Sequence, residues 1–107
     1  MQFEKDLSSP HFGLFEQARA VLVDEMKFIE TKKPRITTYS DSNGGVCHMR
    51  TMQHGIDFGF LKGAKMHDEL GMLTGNGKSM RVLPMSQMDQ DVLSYYLAQA
   101  VELNQKS

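Results

Sequence analysis

The chain has 107 residues, 12 Lys and Arg against 13 Asp and Glu, and a net charge of -1 at pH 7, which suits one hydrophobic core and leaves no room for separate nucleotide and substrate domains. With 40% apolar and 23% charged residues the composition is that of a soluble globular domain rather than a disordered chain, and a nucleic-acid partner is not expected. No apolar run approaches the roughly 20 residues of a membrane span.

The start, MQFEKDLSSP, carries two acids and no apolar run, unlike a signal peptide. The single cysteine, Cys47, has no internal partner, and a reducing, cytoplasmic setting fits best. Charge is uneven along the chain. Residues 1–26 hold five acids against two bases, residues 27–85 nine bases against five acids, and residues 86–107 three acids against one base. If the ends are helical and the middle is a sheet, an acidic layer lies on a mildly basic one. That is either ordinary mixed surface charge or two faces with two kinds of partner.

Ser9-Pro10 predicts a helix start, with Ser9 accepting an early amide and Pro10 at the first helical position. Phe15, Ala18, Leu22, Met26 and Ile29 then recur at three-to-four spacing, widened by Leu14 and Val21, and predict an amphipathic helix of about five turns. Lys27, Lys32 and Lys33 gather towards its carboxyl end, where the helix dipole favours cations. Pro34 bars continuation, and Arg35 to Tyr39 favours strand. The turn formers from Asp41 to Gly45, followed by Val46 to Met52, predict a hairpin. In that second strand Cys47, Met49 and Thr51 share one face and Val46, His48, Arg50 and Met52 the other, which does not identify the core side.

After the turn at His54-Gly55, alternation of Ile56, Phe58 and Phe60 with Asp57 and Gly59 is the clearest half-buried strand. A short apolar step at Met72-Leu73, a loop over residues 74–79 and a last strand from Met80 to Leu83 follow, with Pro84 as its stop. Ser86 or Asp89 then caps a helix carrying Val92, Leu93, Tyr96, Leu97, Ala100, Val101 and Leu103. The order predicts a single α+β domain over 1–107, a two-layer α-β-α sandwich with an antiparallel sheet of four to five strands and the N- and C-terminal helices on one face.

No complete catalytic motif appears, and a non-catalytic role is the expectation. GNGKS shares its end with the phosphate-binding loop G-x-x-x-x-G-K-[ST]. Gly71 nevertheless stands six residues before Gly77 instead of five, and a strand is expected to follow where that motif needs a helix amino terminus. A weaker version, with Lys62, Lys78 and Arg81 and the amides around Gly75 and Gly77 as an anion or partner site, stands beside the reading of a glycine turn with solvated cations. Arg81 is expected to project away from the helices, provided that Met80 and Val82 face the core.

Cys47, His48, Met49, Met52 and His54 have the softness of a metal cluster, but Cys47 and His48 are adjacent in a strand and point to opposite faces. A Cys47 nucleophile with a histidine base has no local signature. His67-Asp68-Glu69 reads as a solvated turn or as a hard-cation site. Glu16, Asp24 and Glu25, with Glu4 and Asp6 ahead of them, form either a solvated face or a diffuse acidic ridge for iron. Exposed carboxylates hold hard cations weakly unless several oxygens converge.

The run GIDFGFLKGAKMHDELGMLTGNGKSMRVLPM, residues 55–85, resembles the YdhG-like family of small bacterial domains of unknown function. That family's pattern is a strand ending G-F-F-[RK]-G, a D-x-x-x-L-L step and G-x-G-K-x-x-R. Gly59, Phe60, Lys62, Gly63, Asp68, Leu73, Gly75, Gly77, Lys78 and Arg81 match it, and the resemblance extends over residues 54–105. The family's W-x-x-P-x-[YF] step has a degenerate counterpart in Phe28, Pro34, Ile36 and Tyr39. The resemblance implies a frataxin-like sandwich and a frataxin-like iron chaperone that supplies iron to an iron-sulfur or haem assembly protein; the acidic ridge of Glu16, Asp24 and Glu25 is then the place for iron, and a monomer or weak dimer is expected. The alternative is an anion or small-ligand binder, with an enzyme among its forms, that uses the glycine-lysine loop at residues 74–81.

Overall fold

The alternation around Phe58 builds the centre of the molecule. In the computed structural model, which describes residues 1–106, Gly55–Phe60 is strand β4 of a five-stranded antiparallel sheet in the order β1-β2-β3-β4-β5. The others are β1 (Ile29–Lys32), β2 (Thr37–Asp41), β3 (Gly44–Met52) and β5 (Arg81–Met85). Phe58 stands opposite Met49 of β3 and Leu83 of β5, and Met49 opposite Thr37 of β2. One face is therefore a continuous ladder of buried side chains. Helices α1 (Gln2–Leu7), α2 (Phe12–Arg19) and α3 (Gln90–Gln105) cover that face. Phe15, Ala18 and Leu22 on one side and Leu93, Tyr96, Leu97 and Ala100 on the other share one core with Ile56, Phe58 and Phe60. Met26 and Val101 pack at its margin. This is the expected α+β sandwich, with the helices at both ends of the chain on one face. None of the helices is long and apolar enough to cross a membrane among the described residues.

The amino-terminal part departs from the expected single helix. Gln2–Leu7 is already helical and buries Phe3 and Asp6. The Asp6 carboxylate accepts from the Thr51 amide at 2.9 Å, the Thr51 hydroxyl at 2.7 Å and Gln2 Nε2 at 2.9 Å. Burying a carboxyl group is costly without such donors; all three fall on Oδ1, Oδ2 being buried without a partner among the described residues, and the Thr51 bonds tie α1 to β3. Ser9 does accept an early amide, that of His11 at 3.0 Å, but Pro10 lies in the turn between α1 and α2 rather than at a first helical position.

Helix α2 widens into a π-helical turn at Ala20–Glu25. The Met26 amide then reaches Val21 O and the Phe28 amide reaches Leu22 O, while Lys27 takes a left-handed φ of 61°. That conformation ends the helix. Ile29 is thus not the last residue of the helical stripe but the first of β1, where it is 65% exposed. The strand is fixed instead by Glu30, whose carboxylate takes Arg19 Nε at 2.6 Å, Arg19 Nη2 at 2.8 Å and the Tyr39 hydroxyl at 2.9 Å.

Strand β3 hides its core side through a register shift against Tyr39 and Ser40. Val46 is the extra residue of this irregularity, and Val46 and Cys47 are both buried, as a bulge allows for two consecutive side chains. Strand β5 runs two residues beyond its expected end and contains Pro84. The Val82 amide and carbonyl turn away from β4 to pair with Thr74 at 2.9 and 2.8 Å. Pro84, two residues on, has the same orientation, so its missing N–H costs no bond to β4. The C-terminal helix is capped as expected, with Asp89 Oδ1 accepting from the Val92 amide at 3.2 Å.

Candidate functional site

The extension of β5 fixes which of its side chains face the helices. Arg81, Leu83 and Met85 alternate towards them, opposite Phe60, Phe58 and Ile56, and Leu83 and Met85 are buried. Met80 and Val82 therefore point to the uncovered face of the sheet, the reverse of the expected assignment. A one-residue difference in strand phase exchanges every side chain between faces.

Arg81 consequently does not join an open cationic surface. Its Nη1 donates to the Gly77 and Met80 carbonyls, so the guanidinium staples the glycine loop from within. No bond joins it to Asp57 or Asp68. The loop is closed by the Thr74–Val82 bridge and docked by the Ala64 amide on Ser79 O at 2.8 Å. A 3-10 turn at Gly63–Lys65 lies against it, and Gly63 has no room for a side chain, since a Cβ would come within 2.6 Å of Arg81 Cβ. The backbone thus brings the Lys62 turn and the Lys78 loop side by side, with Lys78 exposed. Gly75 adopts a φ of 107°, and a strand, not a helix, follows the loop, so no helix amino terminus faces it.

Asp68 also serves the architecture. Its carboxylate accepts from the Met72 and Leu73 amides at 3.1 and 3.3 Å and from the Tyr96 hydroxyl at 2.5 Å. Burial, and then this carboxylate, push the Tyr96 hydroxyl up to about 12. The three residues 67–69 do not converge on a cation position.

The acidic residues of the first long helix divide. Glu16 and Asp24 line one shallow hollow of about 190 Å³ together with Arg19, whereas Glu25 accepts from Gln90 Nε2 at 3.2 Å. Among the described residues no group of three or more His, Cys, Asp or Glu side chains is placed to hold a metal ion. Cys47 is fully buried on the core face, and burial pushes its thiol up to about 12. It is a packing residue, not an activated nucleophile.

What the uncovered face does assemble is a groove of about 260 Å³. Its floor is Gly59, paired with His48 on one side and Val82 on the other. Met80, from the end of the glycine loop, closes one wall. Ile36 and Arg35 enter from the β1–β2 turn, and Arg50 and Asp57, opposite one another in register, complete the lining. The turn is held by the Lys33 amide on Ile36 O at 3.0 Å and by the Gln2 amide on Pro34 O at 2.9 Å, so Arg35 stands on a fixed base.

Among the described residues neither Arg35 nor Arg50 forms an ion pair or hydrogen bond. Asp57 is instead approached by His54 Nε2 at 2.8 Å. Half-burial, and then the charges of Lys33 and Arg50, hold His48 below the usual imidazole range. Two guanidiniums without carboxylate partners and a neutral-leaning imidazole thus present charged and polar donors beside an apolar surface.

Sequence reasoning missed this groove because its residues come from four separate stretches and meet only through register. The available signal was the alternation itself, since Asp57 and Gly59 interleave with the core residues Ile56, Phe58 and Phe60 and so must share the other face. Comparison of the chain with protein-family models, with curated proteins and with solved structures finds no match, so the functional reading rests on the geometry of this site.

Proposed function

We propose that this is a non-catalytic, cytoplasmic binding domain of the YdhG-like kind, whose uncovered sheet face receives an anionic ligand. The observation that carries the reading is the pairing of Arg35 and Arg50 over one groove with neither guanidinium neutralised by a carboxylate. Charged hydrogen-bond donors in a half-enclosed site favour a planar anion that both can approach. The glycine-lysine loop enters this reading as a wall, through Met80. A free, buried Cys47 is in keeping with a reducing compartment.

Titration of the nitrogen-15-labelled protein with sodium acetate tests it by nuclear magnetic resonance. Amide shifts at Arg35, His48, Arg50 and Gly59, weakened by added salt and lost in a variant carrying Arg35→Gln and Arg50→Gln, are the expected result. Shifts confined to residues 75–79 would return the site to the glycine loop.

The second reading is the frataxin-like iron chaperone that serves an iron-sulfur or haem assembly protein, and it is favoured by Glu16 and Asp24 lining one hollow. Arg19 shares that hollow, so a ferrous ion there must compete with a guanidinium. Anaerobic ferrous titration that broadens Glu16 and Asp24 signals supports it, and the absence of any broadening at these positions removes it.

A further inference from the structure

The groove is more than a cationic patch, because its floor residue, Gly59, is buried and carries no side chain. An added Cβ at Gly59 would stand 3.4 Å from Met80 Sδ, 3.7 Å from His48 Cβ and 3.9 Å from His48 Nδ1. Those are contact distances, so the imidazole and the thioether flank a slot about one side chain wide, with the peptide of Gly59 at its base. Val82 and Ile36 extend the apolar surface. The volume of about 260 Å³ lies just below the roughly 300–1,000 Å³ of drug-sized ligand pockets, which limits the occupant to a small molecule.

Charge sets a second constraint. Arg35 and Arg50 bring two positive charges to the lining, and Asp57, opposite Arg50, brings one negative. The fixed balance is one net positive charge with His48 neutral, which matches a monoanion better than a dianion. An inorganic anion would also leave the walls of Met80, Val82 and Ile36 wet.

We infer that the groove selects a small aromatic monocarboxylic acid, its carboxylate between Arg35 and Arg50 and its ring in the slot over Gly59 against Met80. This rests on the anion-binding reading given above. A ring fits edge-on because the slot above Gly59 is about one carbon thick, and because thioether sulfur makes favourable contacts with aromatic rings. The carboxylate fits because a guanidinium offers two parallel donors to it.

Calorimetric and resonance titrations with benzoate, cyclohexanecarboxylate, acetate and inorganic phosphate test the inference. Benzoate is expected to bind about tenfold tighter than acetate, as burial of one ring face requires, and tighter than cyclohexanecarboxylate and phosphate. Gly59→Ala fills the slot and Met80→Ala removes its wall, so each should weaken benzoate by a larger factor than acetate. Arg50→Gln should weaken both. Met80→Ala alters an exposed side chain and serves if Gly59→Ala fails to fold. Equal binding of benzoate and acetate, tighter binding of phosphate, or benzoate affinity untouched by Met80→Ala would overturn the aromatic preference while leaving an anion site in place. No shift in the groove with any of the four would overturn the anion-binding reading itself.

Discussion

On the helix-covered face of the sheet Tyr39, Cys47, Met49, Ile56, Phe58, Phe60 and Leu83 are all completely buried, while the opposite face offers Ile36, His48, Arg50, Asp57 and Val82, none of them fully enclosed. Apart from Ile36, which immediately precedes β2, both sets come from the same strands and alternate between the two faces. The covered face obtains its stabilisation from apolar area removed from water. The uncovered face keeps cations without partners, which contribute little to folding and remain available to a ligand. Stability and the proposed binding should therefore be separable by substitution, one residue apart in the chain.

The largest expected effect lies at the centre of the covered face. Phe58→Ala removes a fully buried ring between Met49 and Leu83 and should cost about 3–5 kcal/mol, read as a lower denaturation midpoint at unchanged slope. A loss under about 1 kcal/mol would mean that the two faces do not differ in the way their burial says.

Next comes the polar clasp at the margin of the same core. Asp6→Ala leaves the Thr51 amide and hydroxyl without their acceptor and should cost about 1–3 kcal/mol. Hydrogen exchange should rise first in α1 and at Thr51. Uniform exchange across the sheet would show that α1 is not held through this carboxylate. At the uncovered face, Arg35→Gln with Arg50→Gln should change stability by only about 0.5 kcal/mol, since neither guanidinium is paired.

The contrast between faces also explains what was legible in the sequence. Ile56, Phe58 and Phe60, and the stripe from Leu93 to Ala100, carry strong periodicity and were placed correctly by it. Ile29 continued the helical spacing of Leu22 and Met26, yet the π turn at Ala20–Glu25 and the left-handed Lys27 end that spacing. Periodicity cannot register either event. Val46 beside Cys47 disguised the core side of β3 because a bulge breaks alternation. Pro84 read as a stop because its orientation towards the free edge is a property of the sheet, not of the residue. From that misplaced end followed the reversed face of Arg81, and with it the location of the groove. Asp6 read as one more acid ahead of the first helix, since the Thr51 donors that bury it lie 45 residues away in the chain.

The smallest effect tests the electrostatics of the uncovered face through His48. Its imidazole is held below the usual range by half-burial and then by the cations Lys33 and Arg50, so the folded protein resists a proton that the unfolded chain accepts near the ordinary histidine value of about 6.5. Between those two pKa values the unfolded state binds more protons, and stability must fall as pH falls. The loss begins near the unfolded value and levels off below the folded one. His48→Gln should remove this component of the pH slope while leaving stability at pH 8 nearly unchanged. An anion in the groove should oppose the same effect, because a carboxylate near Arg50 favours the protonated imidazole. Benzoate should thus raise the His48 pKa, followed by its ring resonances, and bind more tightly at pH 5.5 than at pH 8. A His48 titration indifferent to benzoate would place the ligand away from the imidazole wall and confine it to the arginines.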